Sequence, residues 1–344
     1  MLSGVSDFFG LDIGTTSLRV VQLHSTGGSK QLMHYGYVPI DGNLSMSDAK
    51  ADQQKIIQTL RELLEQTRIT TRNVAVGLPS QRVFTTVVDI ERLSPDELAK
   101  TIKFQADAII PTPLADSKID WAMIGDSPAD KTKVEVLLSS VSNDFVESRL
   151  DLLESIGLNV IAFEPSNLAL TRAMLPFDVA EPQMVIDISS KSTDIIMTIN
   201  GMPRLTRSVP TGAEAIIKSA MQNLNIDEKQ AQQFVFKFGL TKEKLEGQIY
   251  GSIISTIDII MTEIDKSIKF FNTRYEGTKL AKIIVTGSAS TLPEFPLFIA
   301  ERTGVAVEIG NAWRNIAYPQ DRHNELFAVS NYFGVAAGLA ERQE

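Results

Sequence analysis

The chain has 344 residues with 33 basic and 42 acidic side chains, a formal net charge of −9 that argues against nucleic acid as the main partner, since phosphate neutralisation needs clustered Lys and Arg. A hydrophobic content of 43% with 22% charged residues excludes a mainly disordered chain, and the length suits about two domains. With no cysteine and only His24, His34 and His323, the sequence excludes disulfide frameworks, thiolate metal sites and thiol nucleophiles, and leaves little for a His-based centre.

The first apolar run, FFGLDIGTTSLRVVQL from Phe8, predicts strand, tight turn, strand. Ile56, Ile57, Leu60, Leu63 and Leu64 then recur at helical spacing and lead into the short strand NVAVGLP. After a strand from Val83 to Ile90, Ser94-Pro95-Asp96-Glu97 opens a helix over 95–109, with a cap, a proline at the first helical position and acids in the first turn. That helix stops at Pro111-Thr112-Pro113. Strands near Ile119–Ile124 and Lys133–Val141 precede a helix near Asn143–Ile156, so 77–161 reads as an α+β unit inserted in a larger domain.

From Met184 the chain repeats strand, polar turn, strand: Leu11-Asp12-Ile13-Gly14 matches Ile186-Asp187-Ile188-Ser189 at a separation of 175 residues. A repeat that long is no solenoid and predicts two similar α/β lobes facing each other. Ile249, Ile253, Ile257, Ile260, Ile264, Ile268 and Phe271 mark one face of a long helix, and the strand Ala281–Thr286 ends in Gly287. No run reaches the roughly 18 apolar residues of a membrane span, and the opening MLSGVSDFFG lacks a basic n-region, so a cytoplasmic protein without membrane insertion is expected.

An Asp ending a buried strand, followed by Gly and hydroxyl residues, can serve a polyphosphate. Asp12 would hold magnesium, while the backbone N–H groups of Gly14 to Ser17 and the hydroxyls of Thr15 and Thr16 donate to phosphate oxygens. One such turn could equally be a plain hairpin; two in one chain favour a nucleotide clamp.

The doubled Asp turns, the insert and the Gly287 turn resemble the actin-like ATPase superfamily of actin, Hsp70, sugar kinases and the division protein FtsA. More narrowly, IKFQADAIIPTPLADSKIDW, IDISSKSTDI, TGAEAIIKSAMQNL, TEIDKSIKFF, IIVTGSASTLPEF and VEIGNAW resemble the PilM family of type IV pilus assembly. The resemblance implies a two-lobed fold of duplicated ribonuclease H-like lobes. Residues 1–76 would form the first lobe, completed by 162–183 and a C-terminal helix near 326–344; 77–161 would be the insert; 184–325 would be the second lobe, with a helical subdomain near 213–278. It further implies ATP or ADP with Mg2+, phosphate loops at Asp12–Ser17 and Asp187–Thr193 (hence Ser189, Ser190 and Lys191), and a second metal contact at Asp187. Gly212, Glu214, Glu263, Lys266, Gly287 and Ser288 would lie on the ribose and adenine side, and Glu164 would orient the attacking water as the catalytic residue. As a partner it implies the cytoplasmic N-terminal peptide of a PilN-like membrane protein, which would recruit the chain to the inner membrane alongside other pilus assembly proteins; self-association stays open.

The sequence departs from this pattern where Ser189 replaces a glycine and where Gly287 is followed by Ser288 and Ala289. A Cβ at Ser189 is expected to restrict backbone approach to phosphate, while Lys191 could meet it. Slow or absent hydrolysis is therefore expected. Glu263 and Lys266 could instead be a solvated ion pair, and Glu164 a helix-start acid. An FtsA-like scaffold, a pseudo-ATPase and a small-molecule kinase are the alternatives on the same fold; no sugar-specific signature is visible, and no basic amphipathic helix ends the sequence.

Overall fold

The computed structural model describes residues 7–42, 44–47 and 49–343; most of the opening stretch, 1–6, and the final Glu344 lie outside the described residues. The first lobe begins with β1 (Phe9–Ile13), β2 (Ser17–Thr26), β3 (Ser29–Pro39), the helix α1 (Lys50–Thr67) and β4 (Asn73–Leu78). All five residues of β1 are buried, as befits an apolar strand held between antiparallel β2 and parallel β4. The α1 face predicted from its spacing, Ile56, Leu60, Leu63 and Leu64, packs on this sheet with Leu11, Leu18 and Val76.

The chain then forms β5 (Val83–Glu91), α2 (Pro95–Ile109), β6 (Ser117–Asp126) and β7 (Lys133–Ser142). These build a separate sheet in the order β5-β7-β6, covered by Leu98, Ile102 and Ala106 of α2. At the start of α2 the backbone N–H and hydroxyl of Ser94 donate to the Glu97 carboxylate at 3.2 and 2.6 Å.

Next come α3 (Asn143–Glu154), β8 (Asn159–Pro165) and α4 (Ser166–Met174). Here the structure narrows the insert expected over 77–161. β8 pairs in parallel with β4 at the edge of the first-lobe sheet, and Leu152 and Leu153 of α3 are buried in the first-lobe core. The insert's own sheet and core end with β7.

The second lobe holds β9 (Gln183–Ile188), β10 (Thr193–Ile199), β11 (Met202–Val209), α5 (Ala213–Leu224), α6 (Glu228–Phe238), α7 (Gln248–Arg274), β12 (Lys282–Thr286), α8 (Phe295–Thr303) and β13 (Val307–Ile309). Its sheet order, β11-β10-β9-β12-β13, repeats the first lobe's β3-β2-β1-β4-β8 strand for strand. Alternation along the strands serves two cores. Ile186, Ile188 and Ile195 face α7, whereas Val185, Ile196 and Ile284 face the first lobe.

The shared core between the lobes contains α4 and the last helix, α9 (His323–Ala340), with Val21, Leu23 and the buried Trp313. Just before α9, β14 (Ile316–Ala317) pairs with β3. Trp313 and β14 thus side with the first lobe, although they fall within the span expected for the second.

After α9, Glu341 is 1% exposed and accepts from the Asn315 amide at 3.3 Å. Withdrawal from water, opposed by that amide and by the Arg172 and Lys30 charges, pushes its carboxyl up to about 8 from an ordinary 4.5. With a folded-state value above the unfolded one, the folded chain binds more protons between the two. Stability from this group is therefore full below about 4.5 and is lost as pH rises through about 8. Glu341→Gln is expected to flatten the decline of Tm with pH across that window and to raise Tm on its alkaline side. A Tm–pH curve parallel to that of the parent chain would remove Glu341 as the cause.

Candidate functional site

Both Asp-bearing turns fold as tight hairpin loops. Gly14 N–H donates to Ser17 O at 3.0 Å in the first, and Ser189 N–H to Ser192 O at 2.9 Å in the second. The hairpin register sets Arg19 opposite Asp12, and in the second lobe it sets Asp194 opposite Asp187. The repeat thus carries one opposite-charge pair and one like-charge pair at equivalent places.

In the first turn, Arg19 Nη1 donates to Asp12 Oδ2 at 2.7 Å, the two side chains being 15% and 10% exposed. At Gly14 a Cβ would come within 2.6 Å of Arg19 Nη1 and 3.0 Å of Ser17 O, so any side chain there would push the guanidinium aside. The glycine therefore admits a guanidinium as well as leaving the turn open to a phosphate.

In the second turn, the Ser189 hydroxyl donates to both Asp187 oxygens at 3.0 and 3.1 Å. The hydroxyl is thus turned onto the aspartate, while Ser189 itself still lines the cleft. Gly287, at φ 86°, lies directly over this carboxylate, and any side chain there would overlap Asp187 Oδ1.

One cleft between the lobes gathers Asp12, Gly14, Thr15 and Thr16 from the first turn, Asp187, Ser189 and Ser190 from the second, and Gly287 and Ser288 from the third. Ser17 is buried beneath, closing its turn. Gly212 lies behind the second turn, where a Cβ would come within 2.6 Å of Ser190 O, and Glu214 accepts from the Ser190 hydroxyl at 2.6 Å. These residues brace the second turn and do not line the cleft.

Lys191, expected to meet phosphate, instead donates to Gly42 O of the first lobe at 2.7 Å and ties the lobes together. Glu263 pairs with Lys266 at 2.7 Å and with Arg207 at 2.8 Å, and neither Glu263 nor Lys266 lines the cleft, so the ion-pair reading describes them.

Glu164 departs furthest from expectation. It sits on β8, 4% exposed, bound by Arg172 at 2.5 Å and Arg342 at 3.1 Å, and it lines a different groove. A carboxylate committed to two guanidinium groups outside the cleft cannot orient a water inside it. Its ion-pair partners are those two arginines.

Arg19 and Asp194 join the site without belonging to either the Asp-Ile-Gly or the Asp-Ile-Ser motif. Both were within reach of a sequence reading, because each is as far from the centre of its turn as the aspartate it faces. Asn331, whose amide donates to Gly287 O at 3.2 Å, and Tyr332 close the cleft from α9 and carry no motif.

Withdrawal from water, then the Asp194 charge, pushes the Asp187 carboxyl up to about 7, against the Ser189 hydroxyl and Arg19. Asp194 is raised by withdrawal from water, against the Ser208 and Ser80 hydroxyls, and its Oδ1 is buried without a hydrogen-bond partner among the described residues. This donor set fits a divalent ion on the Asp187–Asp194 side, while Asp12 already has its cation in Arg19. Among the described residues, no group of three or more acidic or histidine side chains could hold a metal ion. Magnesium would therefore need phosphate or water oxygens to complete its shell.

A second groove runs between the insert and the first lobe. Ala122, Leu137 and Val141 form one wall, Phe163, Pro165 and Leu168 the other, with Glu164 and Arg342 between them; the Ile119 and Trp121 side chains turn to the opposite face of the sheet, against the α2 core. The strand β6, which borders the groove, is an edge of its sheet, so its outer backbone groups are unpaired by any strand among the described residues. No helix among the described residues is long and apolar enough to cross a membrane.

The profile of the type IV pilus assembly protein PilM family matches residues 10–344. Among solved structures, the chain is similar to a PilM–PilN type IV pilus biogenesis complex, with 22% identity, a TM-score of 0.82 and coverage of 97% of each chain. It is also similar to the ethanolamine utilization protein EutJ from Carboxydothermus hydrogenoformans, with 15% identity, a TM-score of 0.54 and coverage of 96% of this chain and 88% of that one. MreB5 of Spiroplasma citri bound to ADP gives 11% identity, a TM-score of 0.55 and coverage of 97% and 95%. The two lobes and their clefts are those of the actin-like ATPase fold, and the chain belongs to the PilM family of type IV pilus assembly proteins.

Proposed function

We propose that this chain is a nucleotide-binding component of type IV pilus assembly. It holds ATP or ADP between its lobes and takes the cytoplasmic N-terminal segment of a PilN-like protein in the groove walled by β6 and β8. That partner brings it to the inner face of the membrane, beside other pilus assembly proteins. The carrying observation is the separation of the two sites: paired Asp turns face one cleft, while an edge strand with apolar walls borders another. The solved PilM–PilN complex and the ADP-bound MreB5 support the reading by analogy.

In the cleft, the N–H groups and hydroxyls of Thr15 and Thr16 and the Ser190 side receive phosphate oxygens, Arg19 supplies a fixed positive charge, and Asp187 with Asp194 holds magnesium. Hydrolysis is slow or absent, because the carboxylate expected to orient water is bound elsewhere by Arg172 and Arg342. This favours a scaffold whose nucleotide state shapes partner surfaces.

An extended peptide would add backbone hydrogen bonds to β6 and seat apolar side chains against Ala122 and Leu137. Fluorescence anisotropy with a PilN-type N-terminal peptide tests this directly. Ala122→Arg, which sends a long charged side chain into the groove from its exposed wall strand, is expected to weaken binding by about tenfold or more. Equal affinity in the two proteins would place the partner elsewhere. Mass spectrometry of the purified chain tests for retained nucleotide, and steady-state turnover well above about 1 s⁻¹ would contradict the scaffold reading.

A further inference from the structure

The insert is bolted to the second lobe, although both of its chain connections lead into the first. Glu135 of β7, 1% exposed, accepts from Arg204 Nη1 at 2.8 Å, from Arg274 Nη2 at 2.8 Å and from the Tyr275 hydroxyl at 2.7 Å. Arg204 belongs to β11, and Arg274 and Tyr275 to the end of α7. Arg274 also reaches Asp89 of β5 at 3.0 Å.

Arg204, itself 6% exposed, uses its other terminal nitrogen on Ile124 O of β6 at 2.6 Å. There the β6–β7 register slips between Met123 and Gly125, and Gly125 takes φ 144°. A Cβ on Gly125 would come within 3.0 Å of Arg204 Nη2. The irregularity in β6 is shaped around an arginine from the opposite lobe.

β6 is also one wall of the partner groove, whereas the facing wall, β8, belongs to the first-lobe sheet. β11 in turn spans only eight residues from Met202 to Val209, and at its far end Ser208 and Val209 pair with Asp194 and Thr193 beside the cleft. Moving the second lobe away from the first would therefore either strand buried charges or carry β6 away from β8. Stranding them is the costlier course.

We propose that Arg204 is a positioning residue that couples the cleft to the groove, so that a nucleoside di- or triphosphate closing the lobes tightens binding of an extended partner peptide. The inference rests on the peptide and nucleotide sites proposed above. A nucleotide touching both Asp turns favours the closed arrangement, in which Lys191 reaches Gly42. The peptide favours the same arrangement because both of its walls are then in place, and such coupling is reciprocal.

The test uses the full chain, a PilN-type N-terminal peptide and a non-hydrolysable ATP analogue. In the unsubstituted protein, saturating analogue is expected to tighten the peptide by about fivefold or more, and peptide to tighten the analogue by the same factor. Arg204→Ala and Arg204→Lys are expected to keep analogue affinity in the absence of peptide and to lose the coupling; the lysine retains charge but not the forked contact. Peptide affinity unchanged by the analogue in the parent chain overturns the inference while leaving the peptide site standing, and needs no variant to be folded. Coupling that survives in folded Arg204→Ala overturns it as well. Failure of the peptide to bind under any condition removes the proposed groove occupant first, and this inference with it.

Discussion

Replacing Glu135 with Ala is expected to cost about 3–5 kcal/mol of stability, the usual penalty for removing one partner of a buried ion cluster. The carboxylate receives four nitrogen and oxygen donors from the second lobe: Arg204 Nη1, Arg274 Nε and Nη2, and the Tyr275 hydroxyl. Arg274 would keep Asp89, but Arg204 would keep only the Ile124 carbonyl for a buried positive charge. Burial pushes the Tyr275 hydroxyl up, so it retains the proton it donates and would be left facing an apolar gap. Urea denaturation should show the loss as a lower midpoint at similar slope. Glu135→Leu combined with Arg204→Met should recover much of it, since apolar replacement of a buried pair is often neutral. That double variant should still lack the coupling between nucleotide and peptide, which separates packing from positioning. A loss below about 1 kcal/mol in Glu135→Ala would mean the cluster is reached by water.

Individual helices and strands were legible because short-range patterns impose them. The isoleucine spacing of α7 required one buried face, and all but the partly buried Ile268 lie fully in the core. The 175-residue repeat predicted paired lobes, and the structure reproduces even its register, Asp12 with Arg19 and Asp187 with Asp194.

What escaped was the direction in which side chains with remote partners point. Glu164 was expected at a helix start, but it lies on β8, where alternation turns it toward Arg172 and toward Arg342, 178 residues away in sequence. Lys191 has a long flexible stem, and its partner is a backbone carbonyl that no motif marks. The insert boundary was misjudged for a related reason. β8 reads as one more short strand after a helix, and only its pairing with β4 assigns it to the first lobe.

A single methyl at Gly338 is also expected to be damaging, though less so than losing the Glu135 carboxylate. Gly338 lies on α9 where it crosses α4, and a Cβ there would overlap the Ala169 carbonyl oxygen and come within 3.1 Å of Ala169 Cα. These are backbone atoms of a fully buried residue, so no side chain can rotate out of the way. Nor can α9 retreat, because its other face lies on β1. There Gly10 is packed so closely that a Cβ would come within 2.8 Å of Ala340 N. The Gly338 carbonyl also accepts from Arg172 Nη1 at 2.6 Å, so a shift of α9 would disturb the Glu164 cluster as well. Overpacking of this kind costs about 1–3 kcal/mol or more. Helix propensity acts oppositely, favouring Ala over Gly by about 1 kcal/mol. Gly338→Ala is therefore expected to lose about 2 kcal/mol net, read as a lower denaturation midpoint. It should also weaken nucleotide binding, because Ser166 of α4 and Asn331 of α9 line the cleft. Gly334→Ala, one turn earlier, is the control. Its Cβ would meet only Leu170 Cδ1 and Met174 Cε, the ends of flexible side chains, at 2.5 and 2.7 Å. That change should stay within about 1 kcal/mol of neutral. If Gly338→Ala proved as stable as Gly334→Ala, the backbones of α4 and α9 would not be in contact at this crossing.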